Sequence, residues 1–305
     1  MSENQAKNVA ASVRARLTNL AKSRGEEFQL VLSRYAVERF LYRLSVSDHA
    51  SEFVLKGAML FQLWAGEPHR ATRDLDLLGR GDSSTERLAE VVRGLCSLSV
   101  PDDGLAFDAA SVAAARIRED QEYEGVRVTA IVRLGNARIP LQIDVGFGDA
   151  VVPAPTRVQY PTLLGFPAPT LGAYPREAVV AEKFQAMVAL GIGNSRMKDF
   201  FDLWVLCRDF PFEGENLARA LAATFERRKT AVPVTAPLAL TNSFRADPVK
   251  VVQWEAFIRK GRLDAKGMTL EAVCEVLSDF LMPVSGAVAA REPFPKSWKA
   301  GGPWR

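Results

Sequence analysis

Two aspartates separated by one leucine, Asp74-Leu75-Asp76, are the sharpest chemical signal in the chain. If ATRDLDLLG is a strand, alternate residues share a face, and both carboxylates come together while Leu75, Leu77 and Leu78 interleave with them. Two anions held that close call for a shared proton or a divalent cation with oxygen ligands. A third acid, Asp144 in LQIDVG, falls with Gln142 on the polar side of a second expected strand, opposite Leu141, Ile143 and Val145. Three acidic groups on neighbouring strands of one sheet suit two magnesium ions and phosphoryl or nucleotidyl transfer. One ion activates the attacking hydroxyl and the other takes up charge on the triphosphate. The competing reading makes Asp144 a turn cap ahead of Gly146 and Gly148.

Cationic and helical groups extend the pattern. Lys56 and Gly57 in FVLKGAML precede the carboxylates, and a glycine at a turn that opens a helix lets backbone N–H groups approach a phosphate. Lys183 stands in the apolar run Val179, Val180, Ala181, Phe184, Met187, Val188, where an ammonium needs an anionic partner; a triphosphate would be one. Asp199 and Asp202 are three apart and share a helical face, with Lys198 four before Asp202 and Met197, Phe200, Phe201 and Trp204 forming a buried stripe. A surface ion-pair ladder is the alternative for that helix.

The elements that must position these groups alternate between helices and a small sheet. Apolar residues recur at helical spacing within Phe28 to Leu44, with Arg34, Arg39 and Arg43 between them. Glu52 to Trp64 reads as a helix or a strand-to-helix passage, and Ser84 to Leu98 as a helix. Gly125 to Val145 reads as a hairpin turning at Gly135 and Asn136, with Pro140 marking an edge or a bulge. Proline recurs from about Pro153 to Pro175, which predicts a linking loop. Helices follow at Arg176 to Leu190, Arg196 to Arg208, Leu217 to Lys229, Val249 to Lys260 and Thr269 to Leu281. The tail REPFPKSWKAGGPWR reads as an extended strap anchored by Trp298 and Trp304. The expected division is 1–155 for the sheet with its N-terminal helices and 156–305 for a helical C-terminal domain with the tail.

With 305 residues, 48% of them hydrophobic and 25% charged, the chain can bury a sizeable core. Three cysteines and two histidines, widely spaced, argue against a disulfide scaffold and most zinc sites. No GxGxxG follows an expected strand, no GxxxxGK[ST] occurs, and kinase motifs are absent, which disfavours dehydrogenase, P-loop and kinase chemistry. Net charge is +3, but Phe225 to Arg305 holds 13 lysines and arginines against 8 acidic residues. That basic region either steers nucleic acid or solvates helix faces. The opening MSENQAKNVAASVRARL lacks the apolar stretch of a signal peptide, so the expected location is cytoplasmic, with no membrane partner.

In order, LSRYAVERFLYRLS, FVLKGAMLFQLW, RATRDLDLLG, IDVGFGD, EAVVAEKFQAM and SRMKDFFDLWVL resemble the AbiEii-type nucleotidyltransferases, including the MenT toxins, from about Leu30 to Leu206. The resemblance implies the polymerase-beta-like nucleotidyltransferase fold: α+β, a small mixed sheet flanked by helices, followed by a helical C-terminal domain. It implies Asp74, Asp76 and Asp144 as ligands of Mg2+ or Mn2+ and Lys183 as a contact to the phosphates of an NTP substrate. Asp199 and Asp202, with Arg196 and Lys198, complete the nucleotide pocket, so that Asp74, Asp76, Asp144, Lys183 and Asp199 form the catalytic set. Lys56 and Gly57 stand where the superfamily has a glycine-serine loop; Ala58 follows here, which removes one hydroxyl contact to phosphate. Relatives of the MenT type transfer nucleotides to the 3′ end of tRNA and block translation, and a cognate antitoxin silences them. Transfer to a small molecule or a protein, or nucleotide binding without turnover, are the alternatives.

Thr72 lies two residues before Asp74 and is expected on the same strand face. A phosphate there would compete with nucleotide phosphates for the metal and repel the carboxylates, which makes Thr72 a candidate regulatory position.

Overall fold

A computed structural model describes residues 3–66, 69–117, 125–263 and 268–305. The chain forms two compact units, Met1–Gly148 with Thr156–Ala173, and Asp149–Pro155 with Tyr174–Arg305. The expected division at 155/156 is corrected by the return of Thr156–Ala173 to the first unit. That proline-rich stretch, expected as a linking loop, contributes two strands to the sheet.

In chain order the first unit holds α1 (Glu3–Arg24), α2 (Phe28–Ser45), β1 (Phe53–Lys56), α3 (Met59–Ala65), β2 (Asp74–Gly79), α4 (Thr85–Ser97), β3 (Leu105–Ile117), β4 (Gly125–Leu134), β5 (Ala137–Phe147), β6 (Thr156–Gln159) and β7 (Thr170–Ala173). These strands make one mixed sheet in the order β3-β4-β5-β2-β1-β7-β6. β2 runs parallel to β5 and antiparallel to β1, and β7 runs parallel to β1. Leu75, Leu77, Val126, Val128, Ile143 and Val145 are all at most 2% exposed, and the register sets them in adjoining rows. Each such side chain contributes roughly 1.5–3 kcal/mol by burial. Period-two alternation therefore leaves Asp74, Asp76, Gln142 and Asp144 on the opposite face.

Pro140 sits opposite Ile131 of β4, ahead of Gln142, where the register with β2 begins. On that side β5 is still an edge, which a residue without an N–H tolerates. The long β3 is absent from the sequence expectations because LAFDAASVAAARI is alanine-rich and lacks the β-branched and aromatic run of a strand. It forms by pairing along β4, with an irregularity between Asp108 and Ala113.

Helix α2 departs from a simple amphipathic pattern: Arg34, Arg39 and Arg43, expected between the apolar positions, are buried too. Anions brought from elsewhere make this tolerable. Arg34 pairs with Glu26. Asp103 accepts from Arg39 Nε at 3.2 Å and Arg43 Nη1 at 2.6 Å. Glu38, 1% exposed, accepts from the Leu163 N–H at 2.7 Å, and Arg39 Nη1 donates to the Pro167 carbonyl at 2.8 Å. These two bonds tie the segment between β6 and β7 to α2.

The second unit comprises α5 (Arg176–Leu190), α6 (Met197–Asp209), β8 (Phe212–Glu213), α7 (Gly214–Arg227), α8 (Asn242–Arg245), α9 (Pro248–Gly261), α10 (Leu270–Ala290) and β9 (Ser297–Trp298). Helix α10 continues beyond the expected end at Leu281, through Pro283, because Val284 and Ser285 are fully buried and Ser285 Oγ donates to the Pro233 carbonyl at 2.6 Å. Among the described residues it is the one helix long and apolar enough to cross a membrane. Here it packs on α6 and α7, with Val273, Cys274, Leu277, Phe280 and Leu281 wholly buried. The tail is a strap: β9 pairs with β8, Trp298 Nε1 donates to the Cys207 carbonyl at 2.6 Å, and Trp304 Nε1 donates to the Phe280 carbonyl at 2.9 Å.

Burial pushes the Glu38 carboxyl up to about 7, against the lowering pull of the Leu163 N–H and the Arg39 guanidinium. A raised pKa means the folded state binds the proton more tightly than the unfolded one, so stability is greatest below the ordinary glutamate range and falls as pH rises through about 7. Urea unfolding of the parent and Glu38→Gln at about pH 5 and about pH 8 should give a smaller loss of stability in the variant. Parallel losses would remove Glu38 as the titrating group.

Candidate active site

The acidic groups of the first unit are positioned by strand register. On β2 and β5, Asp76 is the direct partner of Asp144, and Asp74 is the partner of Gln142. Asp76 is also opposite Lys56 on β1, and Asp144 opposite Arg127 on β4. One row across four strands thus reads Lys56, Asp76, Asp144, Arg127, two carboxylates flanked by two cations. Asp74 is exposed at the start of β2, while Asp76 and Asp144 are half-buried.

Arg127, which the sequence did not single out, completes the row. Its Nε and Nη2 donate to Asp144 Oδ1 and Oδ2, both at 2.8 Å, in the planar fork a guanidinium offers a carboxylate. Gln142 Nε2 adds a longer bond to Oδ2 at 3.4 Å. The bonded Asp144 carboxylate holds the guanidinium above its usual range, and the charges of Asp74 and Asp76 add to this. The signal was present: a two-residue turn at Gly135 and Asn136 pairs Leu134 with Ala137 and, counting outward, Arg127 with Asp144.

Gly57 follows Lys56 with φ +76°, and a Cβ placed there would lie 2.0 Å from Asp76 Oδ2. Backbone thus approaches the carboxylate as only glycine permits. The helix that follows, α3, has seven residues, too short to act as the phosphate-binding helix end expected from sequence. Thr72 precedes β2 rather than lying on it, and its Oγ1 reaches toward the Asp74 carbonyl at 3.5 Å.

The second unit holds the other predicted residues. Lys183 on α5 pairs with Asp199 at 2.6 Å and Asp202 at 2.8 Å, both on α6. Asp202 is wholly buried and Asp199 nearly so. The anionic partners that the apolar run around Lys183 demands are therefore these two carboxylates, where the sequence suggested a triphosphate. Arg196 and Lys198 are exposed at the start of α6, and both acids belong to the interior instead of a surface ladder. The basic C-terminal segment is partly used internally: Lys250 Nζ donates to the Asn194 carbonyl at 2.9 Å, Arg228 pairs with Asp149 at 3.0 Å, and Arg245 with Glu275 at 3.0 Å.

Among the described residues no three histidine, cysteine, aspartate or glutamate side chains converge as a ready metal group; Asp144 is turned onto Arg127 instead. The donor chemistry nevertheless fits a hard divalent cation, since Asp74, Asp76 and Asp144 offer only oxygen. A positive group already sits in their combined field. The three cysteines are buried, with thiols pushed up to about 11 for Cys96 and about 12 for Cys207 and Cys274, so none is a poised nucleophile.

A family model described as "Nucleotidyl transferase AbiEii toxin, Type IV TA system" matches residues 39–278. No curated protein matches the chain. Two solved structures resemble it at 15% identity and a TM-score of 0.48: a candidate nucleotidyltransferase from H. pylori, and JHP933 from Helicobacter pylori. Each alignment covers 87% of this chain, and respectively 96% and 94% of the other.

Gly57→Ala is expected to destabilise the protein by about 1–3 kcal/mol, because a side chain at positive φ is strained and its methyl displaces Asp76. Thermal unfolding checks this; a variant as stable as the parent would show that the Gly57 backbone is free to move off the carboxylate.

Proposed function

We propose that this chain, which belongs to the AbiEii family of nucleotidyltransferase toxins of type IV toxin–antitoxin systems, transfers a nucleoside monophosphate from an NTP to the 3′ end of tRNA and so blocks translation. Family membership implies an antitoxin as partner. What carries the reading is the row of carboxylates on one sheet face, Asp76 beside Asp144 with Asp74 two residues along the same strand, in a chain of that family.

Asp74, Asp76 and Asp144 would hold Mg2+ or Mn2+. When bound, such an ion draws charge from the reacting phosphate and acidifies the attacking hydroxyl. Gly57 keeps backbone rather than side chain against Asp76, which leaves that carboxylate room to turn. Lys56, at the end of β1, places a positive charge in the same row and is assigned to the nucleotide's phosphates. In the second unit Lys183 is held by Asp199 and Asp202, with Arg196 and Lys198 exposed at the start of α6. The tRNA acceptor is supported by the exposed basic residues that remain in the C-terminal segment, among them Lys229, Arg259, Lys260 and Arg262. A modification at Thr72, just ahead of β2, would add negative charge beside Asp74 and lower activity.

Incubation of the parent and Asp76→Asn with Mg2+, each labelled NTP and total tRNA, followed by gel resolution, tests the reading. The parent should label tRNA with at least one NTP, and the variant's rate should fall by at least about a hundredfold. Equal labelling by the two proteins would exclude Asp76 from the chemistry. Absence of labelled RNA with every NTP would set the tRNA acceptor aside.

A further inference from the structure

We propose that Arg127 is the resident counter-ion of the carboxylate site: it holds Asp144 until a divalent cation displaces it, and its guanidinium then turns to the phosphates of the NTP. The inference rests on reading Asp74, Asp76 and Asp144 as the cation's ligands and assigns the device that regulates their occupancy.

Both oxygens of Asp144 already accept from Arg127, at 2.8 Å each. A divalent cation approaching those oxygens meets a positive group bound to both, and the two cations repel at contact distance. The guanidinium is able to leave, since its side chain is 45% exposed whereas that of Asp144 is 18% exposed. The hairpin does not need the ion pair. β4 and β5 stay in register from Gly125↔Gly146 to Leu134↔Ala137, and an exposed ion pair adds little to such a ladder. A buried structural pair would resemble Lys183 with Asp199 and Asp202, where the acids are 7% and 0% exposed.

Once released, the same fork that matched a carboxylate matches a phosphate. Its place in the row beside Asp144 puts it next to the ligands of the ion that would accompany a triphosphate. Cation and nucleotide then bind cooperatively: the ion frees Arg127 for the phosphates, and phosphates that engage Arg127 free Asp144 for the ion. Alone, either ligand has to break the ion pair without compensation. The site is thereby biased toward the metal–nucleotide complex and against the bare ion.

Binding of Mn2+ alone, followed by its electron paramagnetic resonance signal, should be about tenfold tighter in Arg127→Gln than in the parent. A non-hydrolysable NTP analogue should tighten Mn2+ binding in both proteins through direct ion–phosphate contact, and by a clearly larger factor in the parent, where release of Arg127 adds to it. Arg127→Lys, which keeps the charge and loses the fork, should fall between them, and far-UV circular dichroism checks that both variants are folded. Equal or weaker Mn2+ binding by folded Arg127→Gln would overturn the role of Arg127 while leaving the carboxylates as ligands. Failure of parent and variant alike to bind Mn2+ would overturn the ligand assignment and this inference with it. In the parent itself, the Arg127 Nε–H resonance should move when Mg2+ saturates the protein; an unmoved resonance with Mg2+ bound contradicts the displacement.

Discussion

The parallel register of β2 on β5 sets Asp76 directly beside Asp144, two like charges on adjacent strands about 4.8 Å apart. A slip of one residue would turn the slipped strand's carboxylate to the apolar face and its buried leucines, or isoleucine and valine, to the polar one, so burial of Leu75, Leu77, Ile143 and Val145 enforces the juxtaposition. The repulsion is met within the same row, by Lys56 on one side and Arg127 on the other. Hydrophobic pattern thus fixes where the carboxylates stand, and electrostatics fixes what must stand beside them.

The two units solve the same problem in different ways. Lys183 with Asp199 and Asp202 is enclosed, and breaking such a group by removing one member leaves an uncompensated buried charge. Arg127 with Asp144 lies at the surface, where water can replace either partner. The first arrangement suits a group whose position must not vary, and the second suits one that must exchange partners. Exposure, more than distance, separates them: the bonds are of similar length, 2.6–2.8 Å.

Much of the site was legible because its determinants are local. Alternation around Asp74, Asp76 and Asp144 follows from strand period alone, and the helical spacing of Asp199 and Asp202 from the α-helix. Arg127 was equally determined, by the hairpin turn, but requires counting register outward rather than scanning for acids. Other features are not local. An alanine-rich β3 is a strand because β4 offers it hydrogen bonds. β6 and β7 are four residues each between prolines, too short for any period to show. The partners that permit buried arginines on α2 come from Glu26, Asp103 and the segment between β6 and β7, and helical spacing alone could not foretell them. The division of the chain was misplaced for the same reason, since the returning strands carry little signal of their own.

Those returning strands matter to the site through a chain of contacts in the first unit. Without β7, β1 would be an edge strand, with unpaired backbone groups along one side and a tendency to fray. β7 pairs with it through Val54↔Gly172 and Leu55↔Ala173, just before Lys56 and Gly57. The segment leading into β7 is in turn held by Glu38 and Arg39 of α2 through the Leu163 N–H and the Pro167 carbonyl. Charges buried in an N-terminal helix therefore support the end of β1, where Gly57 lies against Asp76. The proline-rich stretch is where the sequence says least, and it is also where the fold joins its supporting helix to the strand that borders the carboxylates.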